Sequence, residues 1–177
     1  MATKWKVEVD WNRDGAYSEV TDYVTEARWF LGFRAPFMGT ASEAFLHVTL
    51  KNADKRLSPE NSGGPLYGKL APLRPVKNES HDGTTARRHF SGWVQSIHPA
   101  ANRKGERIAM IQVSGAMQFL KTTETKIELR ENQRSDAIIG ALVNEVIFPP
   151  ALSNAFARIK NAGQVALRDQ NKCAIIV

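Results

Sequence analysis

Asp10, Asn12 and Asp14 are the side chains of this chain that most resemble a ligand-binding motif, in the run Asp-Trp-Asn-Arg-Asp-Gly at 10–15. Oxygens at alternating positions of such a run can converge on a calcium ion, and the glycine allows the turn that follows. The second half of the motif is missing, because Thr21 stands where a bidentate glutamate would close the coordination shell. An Asp/Asn-capped turn between two strands is therefore the preferred interpretation, and a bound Ca²⁺ is the alternative.

The other side chains that could take part in catalysis form no recognisable site. The four histidines have no metal-type spacing, and a single cysteine has no partner for a zinc site. Ser91 lacks the Gly-x-Ser-x-Gly context of a hydrolase nucleophile. Glu124 and Glu128 do not read as a glycosidase pair, since Glu128 fits the polar face of a strand. No glycine-rich phosphate loop occurs. We therefore expect no enzymatic activity, and no cofactor apart from the alternative Ca²⁺.

Composition is ordinary for a globular protein with one full domain, with or without an extension. The chain has 177 residues, of which 42% are hydrophobic and 24% charged. No apolar run approaches the roughly 18 residues of a membrane span, so none is expected. The N-terminus lacks the apolar core of a signal peptide, and a lone cysteine suits a reducing compartment. Synthesis and residence in a cytoplasm are the resulting expectation.

The net charge of +6 is unevenly distributed. Positions 1–30 carry six acidic and four basic side chains, whereas positions 71–107 carry three acidic and seven basic ones. This asymmetry suits a protein whose copies pack with an acidic patch against a basic patch, although an ordinary solvated surface explains it as well. No nucleic-acid-binding motif accompanies the basic residues, so no specificity for nucleic acid is expected.

Period-two hydrophobic patterns predict that most of the chain is β-structure. The strictest alternation lies in Lys4–Trp11, with Trp5, Val7, Val9 and Trp11 on one face. A glycine inside a strand, at position 92, suggests either a bend or a close approach of two backbones. Further strands are predicted at 25–33, 42–50, 74–79 (with Pro75 at an edge or a strand start), 87–99, 107–114 and 126–131, of which 87–99 and 107–114 form the clearest hairpin.

The hydrophobic period changes to that of a helix over Ser135–Val146, with Ser135 or Asn132 as the N-cap. We therefore predict a mainly β fold, a β-rich α+β protein with an antiparallel β-barrel or split barrel and one flanking α-helix. The predicted division is a barrel domain at 1–132, the flanking helix at 133–147, and a C-terminal extension or start of a further domain at 148–177.

Three segments together resemble a known protein family. From Leu50 the chain reads Leu-Lys-Asn-Ala-Asp, then Arg-Leu-Ser-Pro-Glu-Asn, then Gly-Pro-Leu-Tyr-Gly-Lys-Leu-Ala-Pro-Leu-Arg-Pro-Val. Downstream, Phe90–Val94 has the form Phe-x-Gly-aromatic-Val, and upstream Trp5–Asp14 reads as an opening strand and turn. Over roughly residues 4–146 this pattern resembles the N-terminal barrel domain of tail hub, tail-tip or baseplate hub proteins of tailed phages and phage-like particles.

The resemblance implies a structural virion component that forms an oligomeric ring, commonly a trimer, at the end of the tail tube. Tail tube or distal tail proteins would contact one side of the ring, and a spike or fibre protein the other. Such a protein is assembled in the host cytoplasm and resides in the virion tail tip. Neighbouring subunits would meet through a loop and a hairpin tip, with candidate contact residues Arg56, Leu57, Pro59, Pro65, Leu66, Tyr67, His81 and Asp82.

A binding module is the alternative function. This would be a β-sandwich or barrel that recognises carbohydrate or a cell surface, with or without calcium at Asp10, Asn12 and Asp14. Carbohydrate binding generally needs exposed aromatic side chains, and the tryptophans at positions 11, 29 and 93 are the candidates. The alternating patterns predict that some of these rings are buried.

Overall fold

The computed structural model describes residues 4–32, 42–124 and 134–146, without the side chain of Asp136. The predicted strand at 126–131 and the predicted C-terminal extension lie outside these residues. The described elements are β1 (Lys4–Val9), β2 (Ser18–Glu19), a 3-10 turn (Thr21–Tyr23), β3 (Val24–Gly32), β4 (Ser42–Lys51), β5 (Pro75–His81), β6 (Ala86–Ala101), β7 (Arg107–Ser114), α1 (Met117–Thr122) and α2 (Ser135–Glu145).

The seven described strands form one antiparallel sheet in the order β2-β1-β5-β6-β7-β4-β3. The predicted mainly β fold is therefore confirmed. No ladder joins the two outer strands within the described residues, so the sheet is an open or split barrel and not a closed one. The sheet nevertheless curls strongly. Trp5 on β1 and Trp29 on β3 lie near opposite edges of the sheet, yet their ring centroids are only 5.1 Å apart.

The segment after β2 bridges part of the gap between the two edges. The Val20 N–H donates to the Val7 carbonyl at 2.9 Å, and the Val7 N–H donates to Thr21 Oγ1 at 3.1 Å. This segment then leads directly into β3, so one continuous stretch of chain passes from one edge of the sheet to the other. The hydrophobic core lies inside the curl and includes Val7, Val9, Trp11, Leu46, Val48, Leu50, Val76, Phe90, Val94, Ile111 and Val113.

The alternation in β1 predicts the inner face only in part. Val7, Val9 and Trp11 are buried, but Trp5 is 47% exposed at the start of the strand. Glu8, predicted on the polar face, is also buried. Its carboxylate contacts the ammonium groups of two lysines, and those pairings compensate for its burial.

β6 is the long strand that connects the two halves of the sheet. Its first half pairs with β5 and its second half pairs with β7. Gly92 lies near the change of partner, and a Cβ atom there would stand 2.3 Å from the Ser114 carbonyl oxygen. The predicted close backbone approach is therefore confirmed. Pro75 begins β5, as one of its two predicted positions, but β5 lies between β1 and β6 and is not an edge strand.

Two helices accompany the sheet in the described residues. Phe119 of α1 packs edge-on against the buried Trp93 ring, with centroids 4.7 Å apart. The predicted helix at 133–147 is found as α2, although its N-cap position is Arg134 and not Ser135 or Asn132. Among the described helices, none has the length and apolar character that crossing a membrane requires.

Candidate subunit interface

The loop between β4 and β5, residues 52–74, is fixed by the buried side chain of Asn52. We call this segment the Asn52 loop. The Asn52 Oδ1 atom accepts the Leu57 N–H at 3.0 Å, and its Nδ2 donates to Ser58 Oγ at 3.0 Å. The Asn52 backbone N–H also donates to the Arg107 carbonyl of β7 at 2.9 Å. The side-chain amide of Asn52 therefore stabilises the loop internally, and the backbone N–H of the same residue attaches the loop to the sheet.

Within the Asn52 loop, the predicted contact residues differ widely in exposure. Leu57 is only 2% exposed and belongs to the core, because the Asn52 side chain holds its backbone against the barrel. Leu57 therefore offers a neighbouring subunit very little surface, and its role as a contact residue stays a prediction. Arg56 lies over the Tyr23 ring at 4.1 Å and donates from Nε to Asp54 Oδ2 at 2.6 Å. Pro59, Pro65 and Tyr67 are exposed.

A cleft of about 160 Å³ separates the Asn52 loop from the segment around β2. Four of the predicted contact residues meet there, since Arg56, Leu57, Pro65 and Leu66 all line it. Its other walls include Trp11, Val20 and Tyr23. The cleft is mostly apolar and lies beside exposed side chains of the Asn52 loop.

The other predicted contact residues, His81 and Asp82, lie at the opposite end of β5. His81 Nδ1 accepts the Gly83 N–H at 2.9 Å, and Asp82 Oδ1 accepts the Thr85 and Thr84 N–H groups at 2.8 and 3.0 Å. These bonds, that of Thr85 first, lower the pKa of Asp82. Both side chains therefore shape the β5–β6 hairpin, and the structure does not bring them together with the Asn52 loop.

The calcium-like run forms a hydrogen-bonded turn around Asp10, which is fully buried; we call residues 10–16 the Asp10 loop. Asp10 Oδ1 accepts the N–H groups of Asn12 and Asp14 at 3.2 and 3.3 Å, and Oδ2 accepts that of Gly15 at 2.9 Å. Asn12 Nδ2 lies 3.4 Å from Asp14 Oδ2. This geometry is that of the capped turn preferred above.

In the Asp10 loop, the carboxylate of Asp14 accepts the Ala16 N–H at 2.8 Å, and that bond lowers the pKa of Asp14. Arg13 Nη2 donates to the Pro72 carbonyl at 2.8 Å, which joins this loop to the Asn52 loop. No group of three or more His, Cys, Asp or Glu side chains in the described residues is placed to hold a metal ion. Calcium binding stays a prediction.

Among the described strands, β3 is the longer of the two at the edges of the sheet. Its nine residues pair with β4 alone, and no backbone hydrogen bond joins its other side within the described residues. On its outer face, Glu26 pairs with Arg28, and Phe30 stacks on Phe45 of β4 with centroids 5.8 Å apart. Leu31 is 54% exposed. A shallow groove of about 210 Å³ crosses the outer face of β3, β4 and β7.

The sequence patterns missed a polar and aromatic cluster next to the gap between the sheet edges. Ser80 Oγ and His89 Nε2 lie 2.6 Å apart across the β5–β6 hairpin, and the His89 ring lies 4.9 Å from that of Trp5. Asn78, one inward position further along β5, is buried, and its Nδ2 has no hydrogen-bond partner among the described residues. A β-bulge after Asn78 sets the register in which β5 pairs with β6 at this point. The period-two pattern of the sequence does not predict that bulge.

In the described residues, no carboxylate hydrogen-bonds to the other ring nitrogen of His89, which is the contact that a catalytic triad adds to a Ser–His pair. The prediction that some of the candidate tryptophan rings are buried is confirmed for Trp11 and Trp93, whereas Trp5, which was not among the candidates, is the most exposed of the four tryptophans. Trp29 is partly buried against it.

Comparison of the chain with protein-family models and with curated proteins found no match. The resemblance to tail hub domains therefore stays a prediction from the sequence pattern. Independently of it, the structure presents a mainly β fold in which β3 pairs on one side only within the described residues, and a hydrogen-bonded loop that lines a cleft.

Proposed function

We propose that this chain is a structural subunit that assembles with copies of itself into a symmetric ring, as the phage tail hub domains it resembles do. The observation that carries the proposal is β3, a nine-residue edge strand hydrogen-bonded on one side only in the described residues. Unpaired backbone groups along such an edge favour pairing with another strand. A repeated contact between two different surfaces of neighbouring copies closes into a ring when the rotation allows it.

The Asn52 loop supplies a second surface for such an assembly. Its backbone is already fixed by the buried Asn52 amide, and it surrounds a mostly apolar cleft with Pro65 and Tyr67 exposed beside it. A loop that is ordered before binding loses little conformational entropy when a neighbour docks. Internal hydrogen bonds fix the shape of the Asn52 loop, and a fixed shape is what a contact between subunits needs.

By the same resemblance, we place the ring at the tip of a phage tail. The proposed ring is a trimer, with tail tube or distal tail proteins on one side and a spike or fibre protein on the other. Its location is the virion, after assembly in the host cytoplasm. What supports this placement is the sequence pattern over roughly residues 4–146 together with a fold that offers interfaces.

The test is the mass of the full chain in solution, measured by light scattering over a range of concentrations. We expect a discrete oligomer, and we expect Leu31→Lys to shift it towards the monomer because that side chain sits on the free edge strand. Ile139→Lys is the matched control, since Ile139 on α2 is similarly exposed, at 58% against 54% for Leu31. A wild-type chain that stays monomeric at every concentration contradicts the proposal, as does equal weakening by the two variants.

Carbohydrate binding is the second candidate, and the exposed Trp5 favours it. Its ring packs with Trp29 and His89 beside the Ser80 hydroxyl, and an aromatic face near polar groups is a common sugar-binding arrangement. Titration with a panel of oligosaccharides, followed by tryptophan fluorescence, tests it. A saturable change that Trp5→Ala abolishes supports carbohydrate binding, and a flat titration in the wild type rejects it for that panel.

A further inference from the structure

Two neighbouring turns and the strand ends next to them place five exposed cations at one end of the sheet. One turn, residues 102–106, joins β6 to β7, and the other, 52–55, follows β4. The register brings them side by side, since the last residue of β4 faces Ile108 and the following N–H, that of Asn52, donates to the Arg107 carbonyl. The cations are Lys51, Lys55, Arg103, Lys104 and Arg107, and we call this surface the basic end.

The basic end groups five cations whose charges are not neutralised by a carboxylate of the described residues. None of its five cations forms an ion pair within the described residues, whereas seven other lysines and arginines there contact a carboxylate. The two acids in its turns have other partners: Asp54 binds Arg56, and Glu106 Oε2 accepts the Asn102 Nδ2–H at 2.6 Å. Positive charge is therefore concentrated there.

The backbone that carries these charges is held in place. Asn102 Oδ1 accepts the Lys104 and Glu106 N–H groups at 2.8 and 3.0 Å, which fixes the β6–β7 turn. The Lys55 N–H donates to the Asn52 carbonyl at 3.0 Å, and the Asn52 side chain anchors that turn in the barrel. The backbone around the cations is therefore already fixed before a partner binds. Binding then has to order only the side chains of the cations.

We propose that the basic end docks on an acidic surface of a different protein, such as the next component stacked on the ring; this inference rests on the proposed function. Several acids of a second copy are already engaged within their own subunit. Glu8 lies between Lys6 and Lys77, Glu26 pairs with Arg28, and Asp10 caps its own loop. Within positions 1–30, half of the six acids are thus ion-paired inside the subunit, which reduces the charge that a second copy would present.

The same surface fits a protein better than a nucleic acid. The two turns contain no aromatic side chain on which bases could stack. They also hold the carboxylates of Asp54 and Glu106 among the cations, and these would repel a continuous phosphate backbone. A protein surface can match such a mixture, because it presents both signs of charge.

Fluorescence anisotropy with labelled poly-L-glutamate as the acidic probe tests the proposal, with a short DNA duplex of equal charge concentration as the second arm. We expect the full chain to bind poly-L-glutamate in a salt-sensitive manner. Arg103→Gln with Lys104→Gln should weaken binding about fivefold, as the loss of two exposed ion pairs predicts. Lys4→Gln with Lys69→Gln is the matched control, since both lysines are exposed and form no ion pair in the described residues; it should change binding less than twofold.

Equal weakening by the two double variants overturns the proposal, as does tighter binding to the duplex than to poly-L-glutamate. Circular dichroism confirms that each variant is folded, and Lys51→Gln with Lys55→Gln repeats the test on the neighbouring turn. Light scattering on the same samples separates this inference from the ring. A monomeric wild type refutes the ring alone, whereas an oligomer without selective loss of probe binding refutes the basic end alone.

Discussion

The Asp10 loop and the Asn52 loop contact each other, and each depends on one buried polar side chain. Asp10 only accepts hydrogen bonds, and it receives three backbone N–H groups. Asn52 accepts one N–H and also donates to a hydroxyl. The bond from Arg13 to the Pro72 carbonyl couples the two loops.

The difference between the loops shows why residue types alone mislead about function. Asp10 stands in a run that matches half of a calcium motif, yet its carboxylate is occupied by the N–H groups of its own loop. Asn52 stands in no ligand motif, yet it organises the loop that lines the cleft. A carboxylate only accepts hydrogen bonds, so it could bind a cation in place of N–H donors. An amide that also donates a hydrogen bond would lose that bond's geometry if its oxygen turned to a cation.

The largest effect should come from Asn52→Ala. Removing the amide leaves the buried Leu57 N–H without its acceptor and opens a cavity, so we expect a loss of about 3 kcal/mol in the free energy of unfolding. Urea denaturation measures it. Asn102→Ala is the matched control, because Asn102 caps the partly exposed β6–β7 turn in the same way and should cost about 1 kcal/mol. Equal losses would show that burial does not distinguish these two caps.

Asp10→Ala should have the next largest effect. It removes the acceptor of three backbone N–H groups, which water can reach in part once the carboxylate is gone, so we expect a loss of about 2 kcal/mol. Thermal unfolding with and without CaCl₂ is the matching measurement. If the turn is complete without a cation, Ca²⁺ leaves the wild-type midpoint unchanged. A rise in the midpoint that Asp10→Ala abolishes would establish the calcium site.

Strand positions and the mainly β class followed from the sequence because burial of one sheet face imposes alternation. Arg107–Ser114 is found at its predicted bounds, and Gly92 makes its predicted close approach. Side-chain hydrogen bonds and ion pairs leave no such periodic pattern in the sequence. Asn52 bonds within its loop, Glu8 meets Lys77, and Ser80 meets His89 only through register and folding of the chain. The site therefore had to be read from the structure.

Each of the two loops contains a glycine with a left-handed backbone conformation. Gly15 and Gly68 have φ of +84° and +73°, and a Cβ at either would meet no atom within 4 Å. Substitution by alanine therefore isolates the left-handed backbone strain, and we expect a loss of about 1 kcal/mol at each position. Gly63→Ala, in the same loop as Gly68 but without a positive φ, is the control and should change the free energy of unfolding very little.

The smallest effect concerns an aspartate in each loop. Burial opposes ionisation of Asp54, but the bonds from Arg56 outweigh it, so its pKa is lowered from 3.8; the pKa of Asp14 is lowered chiefly by the Ala16 N–H. A carboxyl whose pKa is lower in the folded state than in the unfolded state stabilises the fold at pH values above its unfolded-state pKa. That stabilisation is lost as the pH falls through its folded-state pKa. Asp54→Asn and Asp14→Asn should therefore destabilise at pH 6 and become nearly neutral at pH 2. Denaturation at the two pH values measures this, and a penalty that persists at pH 2 would mean that the amides fail for steric rather than electrostatic reasons.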